Sequence, residues 1–303
     1  MPGIRSWQKH TGIVLNTVNG FDVIECEHCG FKHITPLPTP EALDIIYRED
    51  YYSIEKPLYL EGCREDLDWW NLVYSERYDF FESLLPPGRR RILDVGSGPG
   101  FFLLHGKERG WDTFGIEPSA QAAAHSRELG LNIVEDFLSA KNAKSLGKFD
   151  IVHMSNVLEH VPNPKEMLLL AHSLLEDSGL ICVTVPNDYN PLQSVLVSTC
   201  NYEPWWVSPP HHINYFNYDS LSDLFNKCGF DIVNCEATFP IDMFLLMGVN
   251  YIGNDGQGRK CHEMRKKFEI NIYNSTNRYL IKDLYKSFAG LKIGREVVLV
   301  GKK

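Results

Sequence analysis

The sequence predicts an α/β fold, a doubly wound and largely parallel sheet with helices on both faces. Three observations carry that expectation. Short apolar runs at residues 92–95, 111–116, 132–135, 150–154 and 180–185 alternate with helix-like segments, which is the rhythm of repeated βα units. The stretch RILDVGSGPGFF at residues 91–102 sends one such run into a turn with three glycines and one proline, and a helix-like segment leaves it. That is the grammar of a nucleotide-binding site. Finally, Glu117 ends the next run, 23 positions after Asp94, where a doubly wound fold sets neighbouring strand ends side by side.

Bulk properties narrow the class. At 303 residues, with 44% hydrophobic and 23% charged residues, the chain can bury a substantial core, and one catalytic domain with appendages accounts for its length. A net charge of −9 argues against a nucleic-acid partner, because binding a polyanion draws on clustered Lys and Arg; a small-molecule substrate is expected instead. The start, MPGIRSWQKH, has no apolar h-region, and no stretch approaches the roughly 18 apolar residues of a spanning helix. A cytoplasmic protein without a membrane partner is therefore expected. Eight cysteines, mostly isolated in apolar or helical patterns (Cys182, Cys228, Cys235), suit reduced thiols better than a disulfide framework.

Glycine spacing separates two kinds of adenosine ligand. A dinucleotide fingerprint places a glycine at the sixth position of the turn, and counted from Gly96 that position is Phe101. Asp94 instead stands at the strand end, with Gly96, Gly98 and Gly100 following. This resembles motif I of the class I S-adenosylmethionine-dependent methyltransferases, whose fold is a seven-stranded Rossmann-like sheet with the last strand antiparallel. The resemblance implies S-adenosyl-L-methionine as cofactor, with S-adenosyl-L-homocysteine as product. Asp94, Gly96, Ser97 and Gly98 would hold its amino-acid tail. Glu117, with Pro118 beside it, has the oxygens to accept hydrogen bonds from two ribose hydroxyls. Asp136, with Glu135 as nearest rival, is implied at the adenine amino group, and Phe137 over the base.

Taken in order, residues 1–60 read as an N-terminal appendage, followed by a methyltransferase domain over 61–303. Cys26 and Cys29 form a CxxC before Gly30, with His28 and His33 nearby. The pattern CEHCGF, a later PxPxPE and YxxxYY resemble the leader of a methyltransferase subgroup in which an upstream CxxC completes a zinc ribbon. Here the matching region around Trp7 holds only His10, so the leader reads as a degenerate ribbon, with zinc at Cys26 and Cys29 against expectation. Residues 60–86 should be helical, because Leu67, Trp70, Tyr74, Arg77, Tyr78 and Phe81 recur at three- and four-residue steps until Pro86, Pro87 and Gly88. By the resemblance, Tyr52 or Arg77 reaches the donor's carboxylate.

Beyond the glycine turn, Ser119 caps a helix that ends before Gly130, and Asn163 with Pro164 opens another. The phrase NVLEHVPNP again resembles the family and implies that Ser155 and Asn156 line the donor, while Glu159 and His160 face the reaction cleft. Residues 186–216 lack regular pattern and read as a substrate loop. Within PPHHINYF, His212 matches the family's substrate-facing histidine, with His211 as its neighbour. A helix over 217–228 and strands over 230–238 and 296–302 enclose an insertion at 239–294. Its NDGQGRK portion reads as flexible and its basic run (Arg259, Lys260, Arg265, Lys266, Lys267) as a solvated helical face, or as a lid for the phosphate of a nucleotide-linked sugar.

Methyl transfer from a sulfonium requires in-line alignment and, for a hydroxyl acceptor, a base. His160 and His212 are the candidates, since imidazole suits that role near neutral pH. Some ubiquinone-pathway and small-RNA-end methyltransferases hold a divalent ion with an ExxEH frame and a later His. Here the frame reads Asn156, Glu159, His160 and His212, one carboxylate short, so no metal is expected. The expected reaction is methylation of a small polar acceptor, at a hydroxyl of a sugar or secondary metabolite. Carbon methylation of a nucleotide-linked keto-sugar and non-catalytic donor binding are the alternatives.

Overall fold

A computed structural model describes residues 10–48 and 58–303. Tyr52, proposed above for the donor carboxylate, lies outside them. The large sheet contains β4 (Arg91–Val95), β5 (Asp112–Ile116), β6 (Asn132–Val134), β7 (Phe149–Ser155), β8 (Leu175–Pro186), β10 (Asp231–Ala237) and β11 (Glu296–Lys302). Their spatial order is β10-β11-β8-β7-β4-β5-β6, and only β11 runs antiparallel to its neighbours. The expected seven-stranded sheet with an antiparallel last strand is what the chain forms.

This order has a functional consequence. From β4 the chain builds outward through β5 and β6 on one side, then returns to add β7 and β8 on the other. The strand ends of β4 and β7 therefore flank a topological switch point, where the connecting loops diverge and leave a crevice. Asp94 and Ser155 stand at those two ends.

The central strands are apolar on both sides because both faces are covered. One face packs under α7 (Pro164–Leu174) and α9 (Tyr218–Lys227) through Leu168, Ala171, Leu221 and Phe225. The other packs under α3 (Leu67–Leu84) and α4 (Phe101–Glu108) through Tyr78, Phe81, Phe102 and Leu103. The caps read from sequence at Ser119 and Asn163 form as expected, and Asn217 caps α9 in the same way; all three side chains accept from backbone amides three residues on.

A small antiparallel sheet, β1 (Gly12–Val18), β2 (Phe21–Cys26) and β3 (Lys32–Thr35), continues into β9 (Asn214–Tyr215) from the far half of the chain. Val23, Ile34, Trp206, Ile213 and Tyr215 form its core, which knits the N-terminal segment to the segment carrying His211 and His212. Two helices follow β3: α1 (Pro40–Ile45) and, after the residues not described, α2 (Tyr59–Glu65).

Two local expectations differ from the fold. Residues 186–216 are not wholly irregular: α8 (Pro191–Cys200) starts from Asn190, whose side chain accepts from Leu192 and Gln193 amides, with Pro191 supplying a preset first turn. The NDGQGRK portion is the beginning of a helix, α11 (Asp255–Tyr273), capped by Asn254 through the Gln257 amide at 3.0 Å. Glycine content suggested a loop, but a cap and tertiary packing outweigh propensity. The insertion also holds α10 (Asp242–Leu246) and α12 (Leu280–Gly290).

Part of the basic run on α11 is engaged in ion pairs, while Lys260 and Lys267 are exposed. Arg259, His262 and Lys266 converge on Asp66, between α2 and α3, at 3.0, 2.8 and 2.6 Å. Arg265 pairs with Glu269 at 3.2 Å, and Glu269 also accepts from Trp69 Nε1. These charges clamp the insertion to α3.

Candidate active site

The glycine turn after β4 needs left-handed backbone. Gly96, Gly98 and Gly100 have φ of 70, 52 and 83°. A Cβ on Gly96 would sit 2.7 Å from Val157 Cγ2, so only glycine lets the turn nest against the loop that follows β7. Asn156 in that loop is also left-handed, at φ 55°, and its amide donates to Thr184 O at 2.9 Å.

Two buried carboxylates frame the turn. Asp94 accepts from His153 Nδ1–H at 2.7 Å, and Phe102 stacks on the same imidazole. Glu117 Oε2 accepts from Gly98 N–H at 2.8 Å and Oε1 from Ser119 N–H at 2.9 Å. Burial pushes Glu117 up to about 7, although the two amides favour its charged form. Each oxygen keeps a lone pair for a further donor.

Asp136 has a partner that the sequence did not announce. Arg48 Nη2 donates to its Oδ1 at 2.8 Å while the guanidinium lies over the Phe137 ring. Burial raises the Asp136 carboxyl, but Arg48 and the Phe137 amide outweigh that and hold it below the usual range.

The second half of the site is a turn locked by backbone. The Glu159 carbonyl accepts from Ile213 and Asn214 N–H at 2.7 and 2.9 Å, and Asn214 Nδ2 donates to the Leu158 and Val161 carbonyls. His160 Nδ1–H donates to the His211 carbonyl at 2.8 Å, a carbonyl that also accepts from Tyr47 OH. With Nδ1 protonated in this way, Nε2 is the basic nitrogen of His160. It lies 3.6 Å from Glu159 Oε1, and the His212 ring is 5.1 Å away, centroid to centroid. Ligand atoms of Glu159, His160 and His212 all fall within 4.8 Å of one another. His211 contributes its carbonyl, and His212 its ring.

Both halves open into one cavity of about 1700 Å³. Asp94, Gly96, Ser97, Gly98, Glu117, Pro118, Asp136, Phe137, Ser155, Asn156, His160 and His212 all line it. Single-ligand pockets run to about 300–1,000 Å³, so the space accommodates two molecules. Further lining residues come from segments distant in sequence: Tyr47 from the N-terminal segment, and His262 and Arg265 from the insertion. Tyr47 is fixed there by the bond from its hydroxyl to the His211 carbonyl at 2.9 Å.

The arrangement fits a sulfonium nucleoside. The glycine turn exposes backbone at a switch point, Glu117 retains acceptor capacity, and Ser97 Oγ is buried without a partner among the described residues. Fold and site together define a donor-binding α/β transferase.

Comparison with known proteins is consistent with this. Residues 71–234, more than half of the chain, match a family model described as a methyltransferase domain. The chain belongs to that family and is an S-adenosylmethionine-dependent methyltransferase of class I. It is 27% identical over 157 residues to a ubiquinone biosynthesis O-methyltransferase of Glaesserella parasuis serovar 5, covering 48% of this chain and 66% of that one. It is 28% identical over 188 residues to the protein of the same name from Roseobacter denitrificans, covering 59% and 75%. Among solved structures it is similar in fold to the plantazolicin methyltransferase BamL, crystallised with a triazolic desmethylPZN analog and SAH (TM-score 0.51, 16% identity, 87% of this chain and 96% of that one). No helix among the described residues is long and apolar enough to cross a membrane.

Proposed function

We propose that the protein methylates a hydroxyl oxygen of a small polar acceptor, a sugar or secondary metabolite, with His160 as general base. The observation that carries this reading is the His160 tautomer: Nδ1–H is committed to the His211 carbonyl, so Nε2 is left basic in the cavity that the glycine turn also lines. When bound, S-adenosylmethionine supplies an electrophilic methyl carbon. Asp94, Gly96, Ser97 and Gly98 are assigned to its amino-acid tail, Glu117 and Pro118 to the ribose, Asp136 and Phe137 to the adenine, and Ser155 and Asn156 to the wall beside the sulfur. Arg77, which also lines the cavity, is the remaining candidate for the carboxylate.

The acceptor hydroxyl gives its proton to His160 Nε2 as the new C–O bond forms and the S–C bond breaks. Glu159 Oε1, 3.6 Å from that nitrogen, stabilises the imidazolium. His212, whose ring centroid is 5.1 Å from that of His160, orients the acceptor beside the base. The name of the curated relatives, O-methyltransferase, favours oxygen over carbon as the accepting atom. Eight unbridged cysteines support a cytoplasmic setting.

Substituting His160→Ala should lower kcat by about 10²–10⁴ while S-adenosylhomocysteine affinity stays within about twofold. His212→Ala should act mainly on acceptor KM. If neither substitution lowers turnover, neither histidine is the base; donor binding with no turnover of any acceptor by the wild type would favour the non-catalytic reading. If labelled methyl appears on carbon of a nucleotide-linked keto-sugar, the acceptor assignment is wrong. A second reading rests on the proximity of Glu159, His160 and His212, since two imidazoles and a carboxylate can hold a divalent ion. Turnover that requires added Mg²⁺ or Mn²⁺ after chelator treatment would favour it over the base.

A further inference from the structure

The N-terminal sheet assembles four side chains that the methyl-transfer site does not use. His10 lies two residues before β1, Cys26 ends β2, Cys29 lies in the following turn and His33 is on β3. Their ligand atoms lie within 4.8 Å of one another. His10 Nδ1 is 3.5 Å from Cys26 Sγ, 3.3 Å from Cys29 Sγ and 3.1 Å from His33 Nε2. Tetrahedral zinc, with Zn–N of about 2.0–2.1 Å and Zn–S of about 2.3 Å, sets ligand spacings of about 3.6 Å for N to S and about 3.3 Å for N to N. The observed spacings agree to about 0.3 Å.

Hydrogen bonding among the four does not account for this convergence. One imidazole nitrogen carries a single proton or a single lone pair, and cannot serve three partners at once. His33 Nδ1–H donates to the Ile34 carbonyl at 2.9 Å, which turns the lone pair of Nε2 toward the cluster; that is how metal-bound histidines are oriented. The Cys29 amide donates to Cys26 Sγ at 3.5 Å, a bond that favours thiolate. Cys26 and His33 are almost completely buried, at 2 and 1% exposure. Two sulfurs and two imidazoles with no carboxylate select zinc over a hard cation.

We propose that His10, Cys26, Cys29 and His33 form a closed, four-ligand structural zinc site that fastens the N-terminal sheet to the acceptor wall of the cavity. The mechanical link is short. Next to His33, the Ile34 amide donates to the Ile213 carbonyl at 2.9 Å, and the Ile213 amide donates to the Glu159 carbonyl. His33 itself registers with Asn214 in the β3–β9 pair. Zinc binding energy in such a site is folding energy, so the ion would hold the turn that carries Glu159 and His160 against the main sheet.

The test uses the full chain without an affinity tag that binds metal. Elemental analysis should find about one zinc per chain in the wild type and about tenfold less in Cys26→Ser and His33→Asn, while Cys235→Ser on β10 retains it. Because ligand variants of a structural site are prone to misfold, cobalt exchanged into the wild-type chain is the independent measurement. Thiolate-to-cobalt charge-transfer bands with tetrahedral d–d absorption are expected. Stripping the metal with a strong chelator should abolish hydrogen-exchange protection in β1, β2, β3 and β9 and leave β4, β7 and β8 protected. A wild-type chain that holds less than about a tenth of an equivalent of zinc and takes up cobalt without a thiolate band would overturn the proposal. So would zinc retained in folded Cys26→Ser. None of these readouts depends on the acceptor or on turnover.

Discussion

Replacing Glu117 by alanine removes a buried carboxylate that is bonded to the glycine turn and lines the cavity. Its oxygens accept from Gly98 and Ser119 amides at 2.8 and 2.9 Å, and each has one remaining site for a ribose hydroxyl. A hydrogen bond to a charged acceptor contributes about 1.5–3 kcal/mol, so losing two should cost ~3–6 kcal/mol of binding, or roughly 10²–10⁴ in the Kd for S-adenosylhomocysteine. The two amides also lose their partner, at about 1–3 kcal/mol of stability each, so circular dichroism and a thermal melt precede the titration calorimetry.

Protonation supplies a second readout of the same group. Burial raises Glu117 to about 7, above its ordinary value of 4.5, so between those values the donor-free folded chain holds a proton that the unfolded chain has released. For this group alone, stability of the donor-free protein therefore falls as pH rises from 4.5 to 7. Ribose hydroxyls favour the charged form, which predicts the opposite trend for the ligand: affinity weakens as pH drops below about 7, and proton release accompanies binding there. The variant should lose this dependence. A folded Glu117→Ala protein whose affinity stays within about fivefold of wild type, or a wild-type affinity equal at pH of about 5 and about 8, would refute the assignment.

Gly96→Ala should destabilise the chain by about 2–4 kcal/mol and weaken donor binding, since it adds left-handed strain to a 2.7 Å approach to Val157; thermal melts with and without S-adenosylhomocysteine separate the two effects. Asp66→Ala strips the shared partner from Arg259, His262 and Lys266 and should release α11 from α3 at a cost of about 3 kcal/mol, seen as lost hydrogen-exchange protection across α11. Burial alone would raise Asp66, but Lys266, Arg259 and His262 outweigh it and hold the carboxyl below its ordinary range. That contribution is thus complete above pH 3.8 and lost as pH falls through the lower folded value, so the hold on α11 should weaken only below pH 3.8 in an acid titration. Arg48→Ala breaks a half-exposed pair with Asp136 and should change stability by less than about 1 kcal/mol, so a larger drop in donor affinity would mark a binding role for this corner.

Reading residues in order recovers whatever is encoded by spacing. The strand runs, the caps at Ser119 and Asn163, the glycines after Asp94 and the spacing of Asp94 and Glu117 are local or one βα unit apart, and each leaves a periodic or positional trace. The trace misleads where propensity and packing disagree, as in NDGQGRK, whose glycines occupy the first turns of a long helix clamped by Asp66 and Trp69.

Contacts without a period were decided by the tertiary structure alone. His10 and His33 stand either side of the CxxC and meet it only once β1, β2 and β3 pair. Arg48 reaches Asp136, and His160 finds the His211 carbonyl, because β9 closes the small sheet against the turn after β7. The sequence by itself determined the class of fold and the glycine turn that lines one half of the cavity, since both rest on backbone conformations that neighbouring residues dictate. The acceptor half and the four-ligand cluster depend on side chains brought together from distant segments, and no spacing along a chain records which distant segments will share a hydrogen-bonded edge.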